Sequence, residues 1–283
     1  PVSKPLQEAM RLFDAHIHLQ DAPLDSHRER LADELPKLGL IRSVVAGSGE
    51  EDWQSVADLA KQYRWTLPSF GVHPWYVKEQ SPAWRDTLEE WLRAFPEAGV
   101  GEIGLDRWME NPDVEMQVRF FRGQLEIAAR DNRPTTVHCL RAWGLLEENL
   151  RDSPRPECGF LLHSYGGPVE MVPVFVKLGA YFSISPYFFH ERKAHQLETF
   201  RHVPLDRLLM ETDAPGMWPP DQLNPHPLQD KEGKPINDPS NILMVYEQVA
   251  KLRGIELNEF AQQMEQNFTR LFCRSASTPP PSK

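Results

Sequence analysis

"RLFDAHIHLQ" (11–20) sets an apolar, strand-type run directly before two histidines that are one residue apart. Side chains along a strand alternate faces, so His16 and His18 point to one side while Ile17 points to the other. Such a pair either faces water from an edge strand or closes on one metal ion. This segment alone leaves both readings open, and the rest of the chain has to separate them.

Further strand-type runs follow at 41–47, 66–74, 98–106, 134–139, 157–164, 180–185 and 206–215. Between them, 30–40, 51–63, 84–95, 114–132, 142–151, 169–179 and 190–203 carry apolar residues at helical spacing, with Pro36 disturbing the last turn of the first. Strand and helix alternating through eight units predict an α/β protein, a (β/α)8 TIM barrel in one domain over 11–273. An open doubly wound sheet is the competing arrangement, because periodicity does not reveal closure. No dinucleotide fingerprint, phosphate-binding Gly-x4-Gly-Lys or internal repeat is present. Residues 214–239, rich in Pro, Asp, Asn and Gly, read as one long loop, and 240–254, 256–264 and 265–272 read as closing helices. The tail "RSASTPPPSK" (274–283) cannot bury apolar surface and is expected to be disordered.

The chain has 283 residues, 40% hydrophobic and 25% charged, which is ordinary globular composition. No apolar stretch approaches the roughly 20 residues that cross a bilayer. "PVSKPLQEAM" lacks the layout of a signal peptide, and Cys139, Cys158 and Cys273 are odd in number and far apart. These features predict reduced thiols in the cytoplasm, no membrane, no evident obligate protein partner, and a monomer or weak oligomer. A net charge of −10 argues against a general coat for nucleic acid, so any nucleic-acid chemistry must rely on local cations, with bound metal as one source.

Barrel enzymes place their chemistry at the C-terminal ends of strands. His16 and His18 end the first strand, His73 the third, His138 the fifth, His163 the sixth and Asp213 the eighth, while Glu102 lies late in the fourth. A closed barrel would carry these residues to one mouth, which decides the opening question in favour of metal ligands. Imidazole and carboxylate suit Zn, Mn or Fe, and carboxylate-rich sites accept Mg. Four neutral imidazoles cannot balance two divalent ions, so Glu102 is the natural bridging carboxylate. Asp213 can hold a metal and also take a proton from activated water. Glu102 stands between glycines that would let a substrate or metal come close. Glu211 shares a strand face with Asp213 but reads equally as structural. Asp106 either orients a ligand histidine or caps the next turn. Cys139, next to His138, should face away from the mouth and pack. The tryptophans of "HPWY" (73–76) and "GMWPP" (216–220) either stack a base or shield the mouth.

"DAHIHL", "GVHP", "GEIGLD", "TTVHC", "LLHSYGG", "METDAP" and "NFTRLF", in that order over 11–273, resemble the TatD-type metal-dependent deoxyribonucleases of the amidohydrolase-like TIM barrels. The resemblance implies two divalent ions (Mg, Mn or Zn). His16, His18 and Asp213 would hold one, His138 and His163 the other, with Glu102 shared and His73 contacting the substrate phosphate. It also implies hydrolysis of phosphodiester bonds, DNA being the expected substrate in exonuclease fashion, with Asp213 as general base. Departures from the pattern gather around the pocket. Arg107 stands where the family usually has an aromatic, "HSYGG" replaces His-Cys-Phe-Ser-Gly, and Arg141 lies three residues beyond His138 rather than two. Arg107, Arg141 and His73 could all supply phosphate contacts, His73 being the one the motif singles out.

One alternative is an amidohydrolase-like hydrolase of a small ester, lactone, amide or phosphoester. Its relatives commonly bridge metals with a carbamylated lysine, and no lysine lies near Glu102. A non-catalytic scaffold is a further alternative, which the complete ligand set opposes.

Overall fold

Residues 10–273 are described by a computed structural model. The apolar runs form β1 (Leu12–Ile17), β2 (Leu40–Ala46), β3 (Thr66–Phe70), β4 (Gly99–Asp106), β5 (Thr135–Leu140), β6 (Phe160–Leu162), β7 (Ala180–Ile184) and β8 (Leu208–Met210). They lie in one parallel sheet in chain order. The segment just past the last strand returns to the end of the first: the Asp213 N–H donates to the His16 carbonyl (2.9 Å) and the His18 N–H to the Ala214 carbonyl (2.8 Å). That closure selects the barrel over the open sheet.

The intervening helices are α1 (Arg28–Leu38), α2 (Trp53–Gln62), α3 (Trp84–Ala94), α4 (Val114–Arg130), α5 (Trp143–Asp152), α6 (Val172–Lys177) and α7 (Ala194–Thr199). Pro36 sits in the last turn of α1, which ends at Gly39 in a left-handed conformation (φ 105°). A Cβ at Gly39 would stand 2.3 Å from the Met10 carbonyl oxygen, so only glycine fits this turn into β2.

Phe13, Val44, Leu67, Leu161, Tyr181 and Leu209, from six different strands, meet Phe268, Leu271 and Phe272 in one buried cluster. Side chains from β2 and β6 touch a common partner only through the barrel interior, so the end of the final helix plugs that interior below the mouth. A second, larger cluster lies between the strands and the surrounding helices, with Trp53, Phe70, Phe121 and Phe175 fully buried in it.

Several sequence readings change, the strands read at 66–74, 157–164 and 206–215 being shorter than expected. The segments read as two helices over 256–264 and 265–272 form one continuous α9 (Leu257–Phe272), because apolar Phe260, Met264, Phe268 and Leu271 keep helical spacing across the supposed break. It follows α8 (Ile242–Arg253), whose Tyr246 hydroxyl bridges the N–H and carbonyl of Phe13 (3.0 Å each). The stretch 214–239 is not structureless: β9 (Pro227–Gln229) and β10 (Pro235–Asn237) pair antiparallel within it. The 190–203 helix shrinks to α7 flanked by tighter turns. The tail 274–283 lies outside the described residues. Among the described residues, no helix is long and apolar enough to cross a membrane.

Candidate metal centre

Strand ends deliver the predicted residues to one point. Glu102 extends from the middle of β4 and is almost fully buried. Its Oε1 lies 2.8 Å from His163 Nε2, 3.0 Å from His138 Nδ1 and 3.3 Å from His73 Nε2. Its Oε2 lies 3.3 Å from both His16 Nε2 and His18 Nε2. Asp213 Oδ1 completes the group, 3.7 Å from His16 Nε2 and 3.6 Å from His18 Nε2. Asp213 stands past the end of β8, which is shorter than its sequence signal. Its left-handed backbone (φ 52°) turns the carboxylate toward His16 and His18.

Second partners fix which ring nitrogen points inward. His18 Nδ1 donates to the Ala46 carbonyl (2.9 Å), and His138 Nε2 donates to Asp106 Oδ2 (2.9 Å). His163 Nδ1 faces Glu211 Oε1 at 3.6 Å, and Glu211 in turn accepts from the Ser183 hydroxyl. With the protons on His18 Nδ1 and His138 Nε2, His18 Nε2 and His138 Nδ1 turn lone pairs to the centre, and a proton on His163 Nδ1, drawn toward Glu211, would do the same for His163 Nε2. His16 Nε2 lies 3.1 Å from His18 Nε2, and His138 Nδ1 lies 3.3 Å from His163 Nε2. Two lone pairs at such distances repel unless a cation, proton or metal, lies between them. The donor set therefore fits divalent ions, and it places the second partners where ligand histidines need them.

The electrostatics agree. Burial, with the His163 charge beside it, brings His16 down to about 4. Burial also opposes the charged form of His18, yet Glu102, Asp21 and Asp213 hold that ring up to about 10. Burial would raise Glu102, but His163, His73, His16 and His138 keep its carboxyl well below the usual range. Burial pushes Asp213 up to about 7. The cluster gathers carboxylates that call for positive charge at its centre.

Four overlapping sets of side chains have the mutual reach to hold an ion: His16, His18 and Asp213; His16, Glu102 and His163; His73, Glu102 and His138; and His163, Glu211 and Asp213. Glu211 is the member that sequence reading left open. The signal was its i, i+2 relation to Asp213. Asp106 does both things proposed for it, since Oδ2 meets His138 while Oδ1 accepts the N–H groups of Trp108 (2.7 Å) and Met109 (3.2 Å). Cys139 packs in the core, as alternation predicts. Gly104 serves a different purpose from that expected. A Cβ there would lie 1.9 Å from the His138 carbonyl oxygen, so the glycine admits β5 rather than a ligand.

His73 Nδ1 accepts the Trp75 N–H (3.1 Å), which leaves the proton on Nε2, facing Glu102. Trp75 stands edge-on to His73, and its indole N–H donates to Asp106 Oδ2 (2.6 Å). Beside the mouth, a cavity of about 460 Å³ is lined from the loops after β1, β2 and β3. Its acids are Asp21, Glu50, Glu51, Asp52 and Glu79, and no lysine or arginine lines it.

The family model described as TatD related DNase matches residues 13–273. An uncharacterized metal-dependent hydrolase of Escherichia coli, YjjV, is 28% identical over 264 residues, covering 93% of this chain and 98% of that protein. The 3'-5' ssDNA/RNA exonuclease TatD of Shigella flexneri is 30% identical over 267 residues, covering 92% and 98%. The crystal structure of YjjV superposes with a TM-score of 0.85 at 26% identity, over 94% of this chain and 100% of that one.

Proposed function

Because the chain belongs to the TatD-related DNase family of metal-dependent hydrolases, we propose that it hydrolyses phosphodiester bonds. Single-stranded DNA is the leading substrate, attacked from an end, with the reduced cytoplasm as its setting. The relatives named as ssDNA/RNA exonucleases support the substrate. One observation carries the chemistry: a single buried carboxylate, Glu102, within 2.8–3.3 Å of five imidazoles, of which His18 and His138 are held with a lone pair toward the centre.

His16, His18 and Asp213 would hold one divalent ion (Mg, Mn or Zn), His138 and His163 a second, with Glu102 shared. Such ions supply Lewis-acid polarisation of a phosphoryl oxygen and acidification of water. The chain's own groups do the rest. Burial raises the Asp213 carboxyl, which strengthens it as the acceptor for the proton of the attacking water. His73, which burial brings down to about 4, stays neutral and offers its Nε2–H to a phosphoryl oxygen. Asp106 and the Ala46 carbonyl keep His138 and His18 in the required tautomers.

The acidic cavity favours a second reading. Its carboxylates repel a polyanion and admit a small neutral or cationic molecule, which fits an ester, lactone or amide hydrolase. The test is a screen of protein loaded with Mn²⁺ or Mg²⁺ against single-stranded oligonucleotides, bis(p-nitrophenyl) phosphate, esters and lactones. Phosphodiester cleavage that Asp213→Asn abolishes is the expected result. Lactone or ester cleavage without phosphodiester cleavage would replace the first reading with the second, and full activity in Asp213→Asn would remove that residue from the mechanism.

A further inference from the structure

The tips of β4 and β5 carry two arginines that the metal cluster does not use. Asp106 pairs in register with Leu140, and the Arg107 N–H donates to the Leu140 carbonyl (2.9 Å). Arg107 and Arg141 therefore leave the barrel side by side, on strands about 4.8 Å apart. Arg141 does so through a left-handed backbone (φ 53°), and both side chains are exposed. Among the described residues, only Arg64, Arg107, Arg119 and Arg141 have guanidinium groups with no hydrogen bond, ion pair or ring contact. Acids outnumber Lys and Arg by ten in this chain, so two unpaired arginines at its mouth are not there for want of partners.

Trp108 lies next to them and is 60% exposed, more than Trp75, Tyr76 or Trp218. Its backbone N–H is held by Asp106 Oδ1, the carboxylate whose other oxygen meets His138. One side chain thus ties the backbone of Trp108, next to Arg107, to the candidate centre. A guanidinium fork matches a phosphate, and an exposed indole stacks on the face of an unpaired base.

Resting on the phosphodiesterase reading, we infer that Arg107, Arg141 and Trp108 form a subsite for the nucleotide adjoining the scissile bond. The two guanidiniums hold its phosphate, and the indole stacks on its base. The ligand class is a single-stranded polynucleotide, since the base faces of a duplex are already stacked.

The experiment measures binding of a labelled phosphorothioate (dT)10 to the Mn²⁺-loaded full chain across a salt series, with metal content checked on each sample. Arg107→Ala and Arg141→Ala should each flatten the slope of log K against log salt by about 0.7. Trp108→Ala should weaken binding about 5- to 150-fold and leave that slope alone. Arg64→Ala, on the opposite end of the barrel, is the charge-matched control. In hydrolysis, the double arginine variant should lose at least about tenfold more kcat/KM on (dT)10 than on bis(p-nitrophenyl) phosphate, which has no second phosphate.

Unchanged slopes, equal flattening in Arg64→Ala, or equal losses on both substrates would overturn the subsite. Cleavage of bis(p-nitrophenyl) phosphate with no (dT)10 binding would overturn it and leave the phosphodiesterase. Binding with the expected slopes but no hydrolysis would overturn the phosphodiesterase and, with it, the place of the subsite beside a scissile bond, leaving the three residues as a single-strand binding site.

Discussion

Gln117→Leu is expected to destabilise the barrel and to lower activity through a residue that touches no substrate. The β3–β4 ladder has only two register pairs, Ser69 with Gly99 and Phe70 with Val100, so the edge of β4 beyond them has no strand partner. Gln117, buried on α4, fills that gap. Its Oε1 accepts the Asp106 N–H (2.9 Å), and its Nε2 donates to the Asp106 carbonyl (3.0 Å). Leucine is one bond shorter, of similar bulk, and makes neither hydrogen bond. Two orphaned backbone groups cost about 2 kcal/mol each at the middle of the usual range, and burying the leucine methyls returns about 1.5 kcal/mol, for a net loss of about 2.5 kcal/mol. At about 2–4 °C per kcal/mol for large domains, Tm falls by roughly 5–10 °C.

Gln124→Leu supplies the comparison. One helix face carries both glutamines, seven residues apart, and Gln124 bonds Val72 in the same way: its Oε1 accepts the Val72 N–H (2.6 Å) and its Nε2 donates to the Val72 carbonyl (3.2 Å). Both variants should lose similar stability in urea melts. Only Gln117→Leu should lose activity at a temperature where both are folded, because only Asp106 holds His138. A stability change within about 0.5 kcal/mol, the range of ordinary surface substitutions, would refute the energetic argument. Equal activity loss in the two variants would refute the positional one.

Asp106→Asn should weaken metal affinity or activity about 10- to 100-fold while the fold survives, as read by metal titration and circular dichroism. Chelator-treated protein should gain about 2.7 kcal/mol when Mn²⁺ reaches a hundredfold excess over Kd, a rise of roughly 5–10 °C in a thermal melt. Glu102→Gln should lose that rise, and retention of it would remove Glu102 from the site. Burial pushes the Asp14 carboxyl from 3.8 up to about 7, so its contribution to stability is full below pH 3.8 and lost as pH rises through about 7. Within that window metal-free Asp14→Asn should show a stability curve flatter by about 1.4 kcal/mol per pH unit, and parallel curves would contradict this.

The strand positions and the residues at their tips were legible because each signal is local: an apolar run, then a polar residue of metal-binding type. What stayed hidden depends on neighbours distant in sequence. Gln117 and Gln124 read as ordinary polar positions of an amphipathic helix, and only the short β3–β4 ladder explains why amides are buried there. The 227–237 hairpin was missed because each of its strands begins with proline and spans three residues, too short for alternation to register. β8 read long because "METDAP" continues its polarity pattern, while the left-handed turn at Asp213 leaves no mark in a sequence of this composition. Glu211 carried its signal in the i, i+2 spacing, but only packing against Ser183 and His163 separates it from a structural acid.

The net charge of −10 was the strongest compositional argument against a polyanionic substrate, and its weight depends on where the acids stand on the rim. At physiological salt, charges are screened beyond about 8 Å, so an approaching strand responds to the arc of rim it meets rather than to the sum over the chain. The loops after β1, β2 and β3 present the acids of the cavity, whereas the tips of β4 and β5 present Arg107 and Arg141 without counter-ions. A strand lying on the arginine side meets repulsion if it continues past the centre toward the acidic side. On the proposed reading, such polarity would favour a substrate that ends at Glu102 over one that passes across it. The excess of acid that argues against nucleic acid in the composition thus becomes, once placed on the rim, an argument for action at chain ends.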